Sequence, residues 1–392
     1  MKTFTYRNFE SRVDVSFSCF SGKNGVDEYH MVLHPLKPAG IDVQLEWLKS
    51  AYTDTLASIG VGEGTAVLRR FFCSDLANQA DVLEKEAFSD FSGKGSHCAV
   101  SWICQPPGHT AKISLWAYHV CDRKGPLSRE SDGNSVSIRR GRLTHHWIAG
   151  VNCPGGESSY EQTRDILDTY GLYLKEKGMV LAENVVRTWF FVKNIDGNYR
   201  GFVNARKEYF AANGLTEKTH YLASTGVEGS HVDTGAKVTL DAYAISGLEP
   251  CQVNFLSAPE NLSSTYVYGV TFERGTAVSY RDRKHVIISG TASIDKNGSI
   301  LYRGDVLKQL DRTVENIEAL LRHAGAELKN MGILIAYVRD PSDYDIIREK
   351  MREKFPGSPV ITCIASVCRP GWLVEVEGIA VMPNSDEALP AF

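Results

Sequence analysis

The chain lacks the marks of several classes of protein. No run approaches the ~20 apolar residues that a membrane-spanning helix requires. The N-terminal MKTFTYRNFESRVDVSF is polar and charged where a secretory leader would place an uninterrupted apolar block. These absences make a cytoplasmic protein with no membrane partner the expectation. Basic residues are not in excess either: 43 Lys and Arg stand against 47 Asp and Glu, a net charge of −4. With no general attraction for a phosphate backbone and no basic, aromatic stripe, no nucleic-acid partner is expected. None of the nine cysteines forms C-x-x-C. Cys98 with Cys104, and Cys363 with Cys368, stand apart from other ligands, so reduced thiols are expected, not a zinc knuckle. His30 and His34 in HMVLH, and the pair His145-His146, lack a matching carboxylate pattern, and no metal site is expected. GVGEG (60–64) follows no strand and fails the G-x-G-x-x-G spacing, which removes the dinucleotide reading.

What is present is the composition of a folded protein, 43% apolar and 23% charged over 392 residues, enough for two or three units of ~100–200 residues. One order of elements recurs. KHVIISGTASI (284–294) reads as a strand ending at a glycine turn. GDVLKQLDRTVENIEALLRHAG (304–325) carries Val306, Leu310, Val314, Ile317, Leu320 and Leu321 at helical spacing and is closed by Gly325. A strand GILIAYVRDP, a helix DYDIIREKMREKF and the strands VITCIASV and LVEVEGIAV follow. Upstream, HHWIAG, RDILDTYGLYLKEKG, VVRTWFFVKNI, YRGFVNARKEYFAANG and KVTLDAYAI repeat the order. A third copy comprises QLEWLKSAYTDTLASIG, TAVLRRFFCSDL, QADVLEKEAF, HCAVSWIC and KISLWAYHV. The units are bounded at 1–125, 138–248 and 262–385, and the polar segments 121–137 and 247–264 read as linkers. A small α+β layer must cover the open face of its sheet. Three such sheets packed around one axis, helices outside, make a monomeric pseudo-trimer the expected architecture.

The third unit resembles the RidA/YjgF family through Ile288-Ser289-Gly290, QLDRTVENIEALLRHAG, YVRDPSDY and CIASVCRPGWLVEVEGIAV, over about residues 256–385. The resemblance implies chorismate-mutase-like units, and a chain equivalent to a fused homotrimer with clefts between neighbouring units. Deaminases of that family hold a substrate carboxylate with an arginine two residues before the cysteine of the penultimate strand; here that position is Ile361. The chorismatase branch is similar over more motifs: VVRTWFFVKNI with YRGFVNARKEYF, ASTGVEG (223–229), YGVTFERGTA (268–277), ISGTASI (288–294) and CRPGWLVEVEG (368–378). HYLASTG departs from that pattern in lacking a proline before the threonine.

Within WLVEVEGIAV, alternation places Leu373, Glu375, Glu377, Ile379 and Val381 on one face, and Trp372, Val374, Val376, Gly378 and Ala380 on the other. Read from pattern alone, both glutamates face water on a half-exposed strand. The resemblance instead makes Glu377 a partly desolvated general acid and leaves Glu375 open. Asp241 and Trp116 occupy the equivalent position in the other copies, so one working cleft is expected. For a dicarboxylate substrate the resemblance supplies Arg187, Arg206, Arg339 and Arg369 as anchors, guanidinium being suited to two-point carboxylate binding. Arg187, inside an apolar strand, requires a buried partner. The turn Gly290-Thr291-Ala292 admits close approach to the backbone or is a plain tight turn. Tyr199, Asn204, Ser224, Thr225 and Cys368 complete the expected lining. The activity implied is cofactor-free cleavage of the enolpyruvyl ether of chorismate or a similar carboxylate. A RidA-like enamine or imine deaminase and a non-catalytic small-ligand binder are the alternatives.

Overall fold

The apolar spacing around Leu310, Ile317 and Leu321 forms a helix packed on a sheet, and the same pairing recurs three times. The computed structural model describes residues 2–9, 12–90 and 97–392. The first unit holds β1 (Lys2–Phe9), β2 (Val13–Ser21), β3 (Val26–Pro35), α1 (Ile41–Ile59), β4 (Ala66–Cys73), α2 (Leu76–Leu83), β5 (Ala99–Cys104) and β6 (Ile113–Asp122). The second holds β7 (Ser128–Asp132), β8 (Ser135–Arg140), β9 (Leu143–Val151), α3 (Ser159–Glu176), the short α4 (Leu181–Asn184), β10 (Val185–Val192), α5 (Ile195–Ala212), β11 (Ala223–Glu228) and β12 (Val238–Ser246). The third holds β13 (Val253–Phe255), β14 (Gly275–Ser279), β15 (Arg283–Ala292), α6 (Val306–His323), β16 (Met331–Val338), α7 (Tyr344–Lys354), β17 (Val360–Ile364) and β18 (Val374–Pro383).

The sheets run β1-β2-β3-β6-β4-β5, β7-β8-β9-β12-β10-β11 and β13-β14-β15-β18-β16-β17, one topology used three times. In each, the last pair is parallel, β4–β5, β10–β11 and β16–β17. Parallel neighbours need a crossover, which α2, α5 and α7 supply. The two presumed linkers are a correction. Ser128–Asp132 and Ser135–Arg140 are paired strands, and Val253–Phe255 pairs with β14. The second and third sheets therefore begin ahead of residues 138 and 262. Strand β7 is almost wholly exposed, so no apolar alternation marks it, as is usual for an edge strand facing water.

One apolar cluster contains Trp116, Trp147, Val186, Trp189, Ile287 and Ile335, contributed by all three sheets. Three others each pair one sheet with its own helices. Sheets thus lie inside and helices outside. Strand β5 lies beside β9 and β11 beside β15, while β16 contacts β2 and β3, which closes the ring. Among the described residues no helix is long and apolar enough to cross a membrane.

A bulge at the start of β4, β10 and β16 sets a common register. Leu68, Arg187 and Ile333 follow it, and two residues later Arg70, Trp189 and Ile335 pair with Trp116, Asp241 and Glu377. Counting back two along the partner strands gives Ser114, Thr239 and Glu375. At the seam of units one and two, Arg70 donates from Nε (3.1 Å) and Nη2 (2.8 Å) to Asp241 Oδ2, and Gly150 N donates to Oδ1 at 2.8 Å. The Arg70 guanidinium also packs on Trp116 and Trp189. Asp241→Ala leaves this guanidinium buried without its counter-ion, a loss of about 3–5 kcal/mol. A lower denaturant midpoint is expected, and an unchanged midpoint would show that the pair does not hold the seam.

Candidate functional site at the seam of units two and three

Strand β18 turns both carboxylates inward. Glu375 is 5% and Glu377 2% exposed, while Val374 and Val376 join the cluster under α6. The alternation is as expected, and the reading with both groups in water is overturned. The two acids are handled in opposite ways. Glu377 accepts from four donors: Arg187 Nη2, Thr225 Oγ1, Trp189 Nε1 at 2.8 Å and Tyr337 OH at 3.1 Å. Arg187 and Trp189 come from β10 and Thr225 from β11, so the buried ion pair joins unit two to unit three. All four donors come from the seam, and Glu377 is not among the residues that line the neighbouring cleft. The expected acid, Glu377, is thus engaged in the buried ion pair that joins the two units.

Glu375 receives no hydrogen bond and no ion pair among the described residues. Burial, and next the Glu377 charge, push its carboxyl up to about 8, against smaller opposing effects from Arg187 and Arg274. Glu375 therefore carries a proton at neutral pH. Its position is set by Gly290, where a Cβ would overlap the Glu375 carboxyl and meet Thr225 Cγ2 at 3.1 Å. The Gly290 amide donates to Thr225 Oγ1 at 2.9 Å. The glycine is there for close approach, at a register break between Ile288 and Thr291 in β15.

Glu375 lines a cleft with Tyr199, Phe202, Arg206, Ser224, Thr225, Phe272, Arg274, Gly290, Ala292, Cys368, Arg369 and Trp372. Arg206 is buried on the inner stripe of α5, between Phe202 and Phe210 at i, i+4 and i+8. It donates from Nε to Thr271 Oγ1 at 3.2 Å and from Nη1 to Ser224 Oγ at 3.4 Å. No carboxylate lies within ion-pair distance of it among the described residues. Burial lowers its pKa, yet a guanidinium stays cationic, leaving a positive charge that no carboxylate among the described residues pairs with. Arg274 donates to the Ser263 carbonyl and also reaches the cleft. Arg369 lies on the Trp372 ring at 5.3 Å. Burial pushes the Cys368 thiol up to about 12, with the nearby Glu375 adding to the effect, so it is a neutral wall group and no nucleophile.

Other expected residues are placed elsewhere. Arg339 bonds Asp196 and the Val367 carbonyl, outside the cleft. Asn204 is exposed on the outer face of α5. Thr291 is buried and donates to the Ser289 carbonyl rather than facing the cleft. Arg187 lies behind the cleft in the ion pair. Arg274, Phe272 and Trp372 were not anticipated, although Arg274 belongs to the recognised FERGTA motif. Ile361, at the deaminase-arginine position, lines a different seam, and the equivalent register position facing this cleft is Thr225. The deaminase clamp is missing from both.

A family profile described as Endoribonuclease L-PSP matches residues 276–382. A 3-hydroxybenzoate synthase of Streptomyces hygroscopicus is 29% identical over 265 residues, 60% of this chain and 74% of the relative. The 3-aminoacrylate deaminase RutC of Acinetobacter baylyi is 30% identical over 97 residues, 24% of this chain and 77% of the relative. A solved chorismatase structure superposes with a TM-score of 0.60 at 18% identity, over 81% of this chain and 94% of that one. This is a likeness of fold along nearly the whole of that molecule.

The two glutamates predict opposite stability effects. Glu375, raised from 4.5 to about 8, binds a proton in the folded chain that the unfolded chain releases, so stability falls as pH climbs through that window. Glu375→Gln is expected to remove that part of the pH slope of unfolding and to fold at least as well as wild type at pH 8. Glu377→Gln is expected to lose about 3–5 kcal/mol by stranding Arg187. Parallel pH slopes for wild type and Glu375→Gln would refute the protonated assignment.

Proposed function

This chain belongs to the RidA/YjgF (L-PSP) superfamily, and from that premise we propose that it cleaves the enolpyruvyl ether of chorismate or a closely similar dicarboxylate, releasing pyruvate. The observation that carries the reading is a buried Glu375 without a donor among the described residues, its carboxyl pushed up to about 8 by burial and the Glu377 charge, in a cleft that also holds an Arg206 with no carboxylate partner. The 3-hydroxybenzoate synthase and the solved chorismatase, matched over 60% and 81% of this chain against 24% for the deaminase, support the substrate class.

In the proposed reaction Glu375 delivers its proton to the terminal methylene of the enol ether, forming the new C–H bond and leaving an oxocarbenium centre at the ether carbon. Water adds there, and the Glu375 carboxylate takes back a proton from it. The resulting hemiketal breaks its bond to the ring oxygen, giving pyruvate and a ring alcohol; atoms balance with one water consumed. Arg206, with Arg274 and Arg369 at the rim, supplies cations for the two carboxylates. Glu377 acts through Glu375, keeping it protonated, and through Arg187 and Thr225 it holds the Gly290 turn. The cleft as it stands has room for only about 40 Å³, a few waters. Admitting a substrate of this size requires the cleft to widen, and Val270 and Phe272, which line it, are the apolar groups that would exclude bulk water from the cation.

Purified protein incubated with chorismate is expected to release pyruvate, read by a coupled lactate dehydrogenase assay. Glu375→Gln lowers kcat by ~10²–10⁴, the range of general acid catalysis, while Arg206→Met chiefly raises KM. The acid must be protonated, so kcat/KM is expected to fall as pH rises through about 8. No pyruvate from the wild-type protein, or full activity in Glu375→Gln, would defeat the proposal.

A further inference from the structure

The seam between units three and one holds a second cavity of about 300 Å³, lined by Asp14, Ser16, Val32 and His34 of the first sheet and by Tyr344, Arg348, Arg352, Phe355, Val360, Ile361 and Thr362 of the third unit. That volume is at the lower end of the range for small-molecule sites. By register it is the counterpart of the cleft beside Glu375. Ser114 stands where that cleft has Glu375. Val32, in an unbroken β3–β6 ladder, stands where β15 breaks register at Gly290. The cavity therefore has space but no acid at the position equivalent to Glu375.

Its polar groups are not used up by the protein. Arg352 pairs with Asp14, and the other arginine, Arg348, comes no closer than 3.9 Å to the same Oδ2 atom. Arg348, with a side chain 20% exposed, makes no hydrogen bond among the described residues. Two arginines against one aspartate leave one positive charge. His34 Nδ1 shares a hydrogen bond of 2.8 Å with Ser114 Oγ, and Nε2 has no partner among the described residues. Burial, then Arg348 and His109, pull the His34 pKa to about 3, so the ring is neutral at pH 7 and is no proton donor of the imidazolium type. Val32, Phe355, Val360 and Ile361 form an apolar wall beside these groups.

We infer that this seam is a non-catalytic binding site for a small aromatic monocarboxylate: Arg348 takes the carboxylate, the apolar wall takes the ring, and His34 Nε2 bonds a polar substituent. A single surplus cation suits a monoanion, whereas the enol-ether dianion is served by the arginine-rich cleft. The inference stands apart from the proposed reaction, since it needs no turnover at Glu375.

The test is calorimetric titration of the full chain with benzoate, comparing wild type, Arg206→Met, Arg348→Met and Ser16→Phe, the last filling the cavity from β2 without altering charge. Arg206→Met is expected to retain one saturable site. Arg348→Met and Ser16→Phe weaken that site at least tenfold while melting as wild type. Benzoate binding that survives both seam variants but disappears in Arg206→Met would place it in the other cleft and overturn the inference. Absence of saturable binding in wild type would do the same. Turnover of chorismate, present or absent, does not enter the read-out.

Discussion

The buried pair of Arg187 and Glu377 is the constraint on which the site depends. A guanidinium and a carboxylate removed from water must repay several kcal/mol of desolvation each, chiefly through further hydrogen bonds. Trp189, Tyr337 and Thr225 provide these for Glu377, while Arg187, whose Nε and Nη1 have no hydrogen-bond partner among the described residues, rests on the Trp189 ring. Glu375, the next inward residue of β18, ionises reluctantly, first because it is buried and next because the Glu377 charge lies beside it in the same low-dielectric pocket. Glu375 therefore keeps its proton. The same Thr225 hydroxyl that donates to Glu377 accepts from the Gly290 amide, so the interaction setting the protonation state also sets the surface against which the acid rests.

Triplication explains why one seam can do this while the others do not. At one register position the three units carry Trp116, Asp241 and Glu377; two residues before it they carry Ser114, Thr239 and Glu375. Only the third unit has carboxylates at both, so only there does one carboxylate push up the pKa of the other. Asp241 alone is neutralised by Arg70 and closes its seam. Trp116 adds apolar surface to the central cluster, and the cavity beside it retains space without chemistry. In a homotrimer every cleft must be identical; a fused chain is released from that restriction, and its seams have diverged in charge.

The repeat and the layer order were legible because helix and buried-strand periodicities are strong where one face is covered. What escaped were the opening hairpins. Ser128–Asp132 lies at a wet sheet edge, so its composition is that of a linker, and Val253–Phe255 is three residues long. In the site, Arg187 was readable as a buried charge needing a partner, and Glu375 and Glu377 as sharing a face. Which of them is left without donors was not readable, since that depends on groups contributed by β10, β11 and β16, far away in sequence. Arg339 misled for the same reason: a strand-end arginine next to a recognised motif was captured by Asp196 of the neighbouring unit. Arg206 carried a signal that could have raised its standing, a charge on the apolar stripe between Phe202 and Phe210.

The arrangement also separates two tasks that would otherwise conflict. A cation close enough to bind a substrate carboxylate tightly also favours ionisation of any acid beside it, and a protonated acid is what the proposed chemistry requires. The charges acting on Glu375 are Glu377, Arg187 and Arg274. Arg187 is already spent on Glu377, so its favourable effect on ionisation is offset at source. Arg206, which no carboxylate of the protein neutralises, approaches from α5 across the cleft and is not among the charges that shift the acid. A dianionic ligand seated between them adds negative charge next to Glu375 and holds its proton more firmly, until the enol ether, turning cationic as it accepts that proton, reverses the local field. Acid strength is then least in the complex before proton transfer and rises as the enol ether turns cationic, which follows from where the charges sit and requires no movement of the acid itself.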